Sequence, residues 1–357
     1  MIRKSKVGIN GRRKFNWDTT KVLLVFVTVI SLCFIIVNSF FIDGSTADCS
    51  HIKNEVNYGA SQKAKHDDFP ATCHGKGRGM AASTMKPKVK KADAIELANG
   101  GFKNIGQGSG KVDLVGAVAL KLSKLQHESG IFGTVAELGV HHGRFTSCLF
   151  ITARESEKLV VADIFEQQEK NVDKSGKGNK EKFFNSLSVY GLQSSDLYKV
   201  YVGSTDELPF DWNKQNDFEQ FRLISVDAGH TAILTRRDLM LAACNLLEGG
   251  IAVLDDVFHS NWFGVTEGMF QYMGNAVEPN QLFPFLYCDG KMFFTNDIAY
   301  HAKYYKALKG ESRFESIMHT DAVLWGGSSE FLMNDVNFLR CKRGDANVKD
   351  IWTSMIY

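Results

Sequence analysis

The stretch TVAELGVHHGRFTSCLFI, residues 134–151, sets the reading of the whole chain. A short apolar run ends in Glu137, two glycines four apart (Gly139 and Gly143) interrupt it, and an amphipathic run follows from Phe145. That order predicts a strand, a turn and a helix. Glycines let the backbone come close to a ligand, and the free N–H groups of the helix start favour an anion. Taken alone, Gly-x-x-x-Gly equally describes a tight strand-to-helix turn. The third glycine of the dinucleotide fingerprint is missing, which counts against a nicotinamide dehydrogenase.

The same alternation extends to both sides of this turn. A helix is expected from near Val112 through Leu125, before the first strand. After it come the apolar run LVVADIF from Leu159, the helical KFFNSLSVYGL from Lys182, and YKVYVG from Tyr198. LISVDAG from Leu223, the helical ILTRRDLMLAACNLL from Ile233, and GGIAVLDD from Gly249 complete the series. Strands alternating with helices predict a doubly wound α/β sheet, mostly parallel, with helices on both faces. The terminal LFPFLYCDGKMFFT, from Leu282, reads as an antiparallel hairpin turning at Cys288-Asp-Gly.

Ligands of such sheets bind at the carboxyl ends of the strands. The distinctive polar residues fall there: Glu137, Asp163, Gly203-Ser204-Thr205, Asp227 with His230, and Asp255-Asp256. Asp163, 26 residues after Glu137, is placed to accept both hydroxyls of a ribose. Any one of these acids reads equally well as a solvated loop residue, but carboxylates closing several strands together do not.

Together ELGVHHGRFT, Asp163, the Gly-Ser-Thr at 203–205, VDAGH ending at His230 and GGIAVLDDVFH resemble a class I S-adenosylmethionine-dependent methyltransferase with a Rossmann-like fold. The resemblance covers about residues 112–300. It is closer to the metal-dependent macrocin/novobiocin-type sugar O-methyltransferases than to the catechol O-methyltransferase type. It implies that Glu137, Gly139 and Gly143 shape the methionine pocket, that Asp163 holds the ribose, and that Ser204 or Thr205 lies near the adenine. It also implies a divalent metal on Asp227 and on a pair 28 and 29 residues later, Asp255 and Asp256, with Asp227 lying between cofactor and metal. Phe145 departs from the pattern, because relatives often carry a small hydroxyl there; Thr146 offers one from the next position.

The residue types suit this chemistry in their own right. Three carboxylates completed by water favour a hard ion such as Mg²⁺ over zinc. Such an ion lowers the pKa of an acceptor hydroxyl and aligns its oxygen with the methyl donor. His230, three residues after Asp227, is either the general base, for which an ordinary pKa of about 6.5 is suitable, or a support for the following helix or a ligand. His259 reads as a loop histidine, and at most one of His141 and His142 is expected to face the cofactor. Trp262, Phe263 and the region 283–294 form either an aromatic wall for a sugar or phenolic ring or part of the core, with core the better reading for 283–294. The expected activity is methylation of a hydroxyl on a sugar or another small, polyhydroxylated acceptor.

The chain has 357 residues, 44% hydrophobic and 23% charged, with 32 Gly and 5 Pro, values that exclude a wholly disordered or collagen-like protein. Its formal charge is +2, yet residues 1–21 hold seven basic side chains and one acid, or +6, leaving −4 for the remainder. A slightly acidic body is a poor candidate for a nucleic-acid partner, and none is expected, since that binding relies mainly on phosphate neutralisation. Residues 22–42 form an uncharged run of 21, long enough to cross a hydrocarbon core of about 30 Å. It exceeds the roughly 7–15 residues of a signal-peptide core, so an uncleaved signal-anchor is the expectation. The basic tail before it puts the N-terminus in the cytosol, making a single-pass type II protein of the ER or Golgi with a lumenal body. Cleavage after Gly44 or Ala47 would leave most of the remainder intact.

Residues 43–110 read as an irregular stem, 111–308 as the methyltransferase domain, and 309–357 as an extension without an assigned role. Cys148, Cys244, Cys288 and Cys341 sit in or beside apolar runs and are expected as buried thiols. Cys49 and Cys73 flank a polar stretch and are either free or paired in an oxidising lumen. No zinc spacing and no N-x-S/T sequon is present. Two other classes share parts of this pattern: a type II metal-dependent glycosyltransferase, and a methyltransferase-like binding module without catalysis. The first leaves ELGVHHG without a role, and the carboxylate set argues against the second.

Overall fold

In the computed structural model, strands form where buried β-branched and aliphatic runs leave no exposed face, as in Thr134–Leu138 and Phe221–Val226, buried at every position. The structure describes residues 77, 86–90, 94–95, 113–189, 191–276, 279–324, 327–341, 351 and 356. Contacts divide the chain into Met1–Lys65 and His66–Tyr357. The expected anchor at 22–42 lies outside the described residues, as do Cys49 and Cys73. Among the described residues no helix is long and apolar enough to cross a membrane.

The elements are α1 (Asp113–Glu128), β1 (Thr134–Leu138), α2 (Arg144–Ile151), β2 (Leu159–Asp163), α3 (Lys180–Val189), β3 (Lys199–Val202) and the short α4 (Trp212–Gln215). They continue with β4 (Phe221–Val226), α5 (Ala232–Asn245), β5 (Leu246–Leu254), α6 (Phe263–Asn275), β6 (Phe283–Cys288), β7 (Lys291–Thr295) and α7 (Ile298–Lys309). Six short strands follow: β8 (Met318–His319), β9 (Asp321–Leu324), β10 (Gly327–Glu330), β11 (Leu332–Met333), β12 (Val336–Asn337) and β13 (Leu339–Cys341). The main sheet has the order β3-β2-β1-β4-β5-β7-β6-β13-β8. Its first five strands are parallel, and β7 is antiparallel to both β5 and β6. This is the doubly wound, mostly parallel sheet expected from sequence. The hairpin also turns where expected, through Asp289 and Gly290, both at positive φ.

Alternate strand residues feed two cores. Val135, Val161, Leu223 and Val253 face a layer with Leu114, Phe150, Phe183 and Tyr304, while Ala136, Val160, Ile224 and Leu254 face one with Leu239, Met269 and Tyr272. At the amino ends of the strands Arg222 is fully buried. It donates to both carboxylate oxygens of Glu157 at 2.6 and 3.0 Å, and to Ser123, Gln126 and Thr152. The Arg222 charge and hydrogen bonds outweigh the effect of burial and hold Glu157 down at about 2.

Three expectations change. The sheet does not stop at 308, because β13 pairs parallel with β6 and antiparallel with β8. Cys288 and Cys341 are not thiols: the register places them opposite one another, with Cα atoms 4.8 Å apart, and they form a disulfide. Cys244 is disulfide-bonded as well, whereas Cys148 is a buried thiol, as expected. Finally, part of the stem lies on the body, with Pro87 bridged to Arg154 and Val89 buried.

Candidate active site

The carboxyl ends of β1, β2, β3, β4 and β5 open into one cavity of about 390 Å³. Its lining includes Glu137, Gly139, His141, His142, Phe145, Asp163, Ser204, Thr205, Asp227, His230 and Asp255. Of the site residues expected from sequence, Gly143 and Asp256 are outside this lining. Gly143 caps α2 in the left-handed conformation, with φ +86°. Asp256 reaches the cavity's histidine, His230.

The glycine turn is built by its neighbours. Gly139 has φ +80°, and a Cβ there would run into the backbone carbonyl of Asp227. The glycine is therefore required by the close approach of β1 and β4, before any cofactor is considered. Asp163 ties the turn to β2: Oδ2 accepts the N–H groups of Val140 and His141 at 2.7 and 2.8 Å, and Oδ1 accepts that of Phe165 at 2.5 Å. Burial nevertheless raises Asp163 above its ordinary value. Glu137 is buried and pushed up to about 7 by desolvation, while accepting a hydrogen bond from Thr146. The Thr146 hydroxyl is thus committed to Glu137. Thr205 donates to Asp238 at 3.0 Å, and Asp238 is pushed up to about 7 by burial.

The acidic group at the ends of β4 and β5 is divided. Asp255 Oδ1 accepts the N–H of Asp256 at 2.8 Å, and Oδ2 is ion-paired with Lys291. Burial alone would raise Asp255, but the Lys291 charge brings it below its ordinary value. Asp227 is raised well above its usual range by burial and by the neighbouring Asp255. The expected set of Asp227, Asp255 and Asp256 is therefore gathered but not free. Among the described residues, the side chains that can each place one donor atom within 4.8 Å of the others are Asp227, His230 and Asp256.

His230 is held on every side. Its backbone N–H donates to Asp173 Oδ2 at 2.5 Å, its Nδ1 lies 3.0 Å from the same oxygen, and its Nε2 lies 3.2 Å from Asp256 Oδ2. Trp262 stacks on the ring at 4.4 Å between centroids and 18° between planes. Burial lowers the imidazole pKa, but the Asp256 hydrogen bond and the two carboxylate charges outweigh it, and the net shift is upward.

Other aromatic and histidine positions separate clearly. His141 and His142 both line the cavity, with ring centroids 3.8 Å apart; His141 falls to about 4 through burial and its neighbour's charge. His259 does not line the cavity and accepts the Asn261 N–H, as suits a loop histidine. Phe263 is 74% exposed, and Phe285, Phe293 and Phe294 belong to the core. Sequence reasoning missed two residues, Asp173 and Lys291. Asp173 lies in a charged loop without a motif, and Lys291 follows a hairpin turn, where a solvated lysine is the ordinary expectation.

A doubly wound sheet whose first turn is a glycine bend pinned by the acid ending β2, with a polar cleft over β1 and β4, is the frame in which such sheets bind their ligands. Residues 136–257 match the family model described as a methyltransferase domain, from β1 to just beyond Asp256. The described body accordingly contains a methyltransferase domain over those residues. No curated protein matches the chain. Among solved structures it is similar to the O-methyltransferase TomG from Streptomyces achromogenes, involved in tomaymycin synthesis, at 15% identity and TM-score 0.40, covering 58% of this chain and 90% of that one. It is also similar to CalS11, a TDP-rhamnose 3′-O-methyltransferase of calicheamicin biosynthesis, at 15% identity and TM-score 0.36, covering 57% and 93%. The O-methyltransferase NovP overlaps at 14% identity and TM-score 0.33, covering 50% and 77%.

Proposed function

We propose that this chain transfers the methyl group of S-adenosylmethionine to a hydroxyl of a sugar or another small, polyhydroxylated acceptor. The observation that carries the reading is His230, held between Asp173 and Asp256 at the cavity that also contains the glycine turn and Asp163. The cavity is within the range of small-molecule sites, about 300–1,000 Å³. Its loop carries Gly178 packed closely against Asp163, where a Cβ would come within 2.7 Å of Oδ1.

S-adenosylmethionine, when bound, supplies an electrophilic methyl on a sulfonium. The chain's part is to bind, align and deprotonate. Asp163 and the turn hold the ribose end, and Ser204 and Thr205 border the adenine end. Asp173 accepts the Nδ1 proton of His230, and Nε2, the nitrogen that Asp256 also faces, takes the acceptor's hydroxyl proton. Asp256 then stabilises the imidazolium. The oxygen forms its bond to the methyl carbon as the carbon–sulfur bond breaks, and S-adenosylhomocysteine leaves. A Mg²⁺ ion in the sequence-expected set would acidify and align the acceptor oxygen. Asp255 is committed to Lys291, so that set does not fit the ion as it stands and no step is routed through one.

The body is placed in an oxidising lumen behind a type II anchor at 22–42. Two observations support this: the basic tail before the apolar run, and the disulfide Cys288–Cys341, a bond rare in the cytosol. A lumenal enzyme would need imported S-adenosylmethionine. Calorimetric titration with S-adenosylmethionine and a nucleotide sugar, followed by a methyl-transfer screen of glycans and catechols, tests the function. Binding of the nucleotide sugar alone would overturn it, and cofactor binding without turnover on any acceptor would make the domain a binding module.

A further inference from the structure

Lys291 opens β7 directly after the Asp289-Gly290 turn, yet it is only 4% exposed and lines the active-site cavity. Its Nζ pairs with Asp255, lies 4.0 Å from Asp227 Oδ2, and sits 4.3 Å from the centre of the Phe145 ring. We propose that Lys291 is the resident cation of the active site, its ammonium taking among the strand-end carboxylates the charge role that a divalent ion would otherwise have. The inference rests on the methyltransferase reading and deepens it, since methyl transfer then needs no divalent ion.

Three observations carry it. Both Asp255 oxygens are engaged, one by Lys291 and the other by the Asp256 N–H, so one of the three expected ligands is withdrawn. Of the remaining donors, His230 and Asp256 already pair at 3.2 Å, and a divalent ion on Asp227 would face the buried ammonium 4.0 Å from that carboxylate. Like charges at such range in a poorly solvated pocket repel strongly. The ammonium is also fixed in place: the disulfide at Cys288 anchors the end of β6 immediately before the turn, and the Phe145 face receives the cation. A fixed positive charge there stabilises the oxyanion that develops as the acceptor hydroxyl loses its proton. Phe145, where relatives often have a small hydroxyl, supplies the aromatic seat for this cation.

The test is Mn²⁺ titration of the full chain, followed by electron paramagnetic resonance, beside methyl transfer in EDTA. Wild type should bind no stoichiometric Mn²⁺ and keep its turnover in EDTA. Lys291→Met should release Asp255, bind Mn²⁺ at least tenfold more tightly than wild type, and lose turnover; adding Asp255→Asn should cancel the gain in binding. One-to-one Mn²⁺ binding by wild type, lost in Asp256→Asn, overturns the proposal and makes Asp227, His230 and Asp256 a metal site. That wild-type titration decides the question even if Lys291→Met does not fold. Failure of S-adenosylmethionine to bind in calorimetry would instead remove the methyltransferase reading, independently of the Mn²⁺ result.

Discussion

Removing Asp173 tests whether His230 is a positioned base or merely a packed histidine. The carboxylate accepts two hydrogen bonds from one residue, at 2.5 Å from the backbone N–H and 3.0 Å from Nδ1, and its Oδ1 accepts the Ser175 N–H at 2.8 Å. Hydrogen bonds to a charged group contribute about 1.5–3 kcal/mol, so if the Nδ1 contact acts in the transition state, Asp173→Ala should lower kcat by roughly ten- to hundredfold. Asp173→Asn keeps an acceptor but drops the charge, and charge-assisted bonds are about twice as strong as neutral ones. Its loss should therefore be about half as large on a logarithmic scale.

The pH dependence separates the roles further. A base works deprotonated, so kcat rises with pH through the His230 pKa, which Asp256 and Asp173 hold above its ordinary value against burial. Losing Asp173 removes part of that support, and the acid limb should move to lower pH in both variants. For stability, a raised histidine pKa adds stabilisation that is fully present below the unfolded value of about 6.5 and is lost as pH rises through the folded one. Asp173 is itself held below its usual range, burial being outweighed by its hydrogen bonds, so its share is lost as pH falls. The melting-temperature deficit of Asp173→Ala should therefore be greatest near pH 5–6 and smaller at pH 9. The assay is transfer of labelled methyl from pH 5 to 9, with cofactor affinity measured alongside. A raised KM with unchanged kcat and an unmoved acid limb would refute the positioning role and return Asp173 to a loop anchor.

Asp163→Ala should weaken S-adenosylmethionine binding by roughly ten- to hundredfold in calorimetry, and should also lower the melting temperature because the carboxylate holds three backbone N–H groups. Gly139→Val should compromise folding itself, seen as lost soluble protein or a lost thermal transition, since the added side chain collides with Asp227's carbonyl. Glu157→Ala should cost about 3–5 kcal/mol in denaturant unfolding by leaving Arg222 buried and unpaired; wild-type Glu157, held at about 2, loses its contribution only as pH falls below its unfolded range towards that value. Cys288→Ser removes a cross-link spanning 53 residues, for which chain entropy gives about 4 kcal/mol, readable as a lower unfolding midpoint than oxidised wild type. Protease protection in sealed microsomes checks the lumenal placement, and digestion of the body without detergent would reverse it.

The parts of this protein that were legible in its sequence are those that periodicity and local chemistry determine. Buried parallel strands announce themselves as apolar runs, so β1, β2, β4 and β5 and the acids that close them were readable one segment at a time, as was the Asp289-Gly290 turn. What was not legible depends on which distant side chains meet. Asp173 has no local signature, and only folding of the loop after β2 over β4 brings it to His230, 57 positions away. The Cys288–Cys341 bond needs the register of β13 against β6, and the strand carrying Cys341 is too short to stand out in an extension of mixed composition. Lys291 shows the same limit in its sharpest form. The spacing of Asp227, Asp255 and Asp256 matches a metal set residue for residue, but spacing counts ligands and does not count the cation that a neighbouring hairpin delivers among them. Whether a cluster of carboxylates is an ion site depends on its charge balance in three dimensions, and here a single lysine, next to a turn that was itself correctly read, changes that balance.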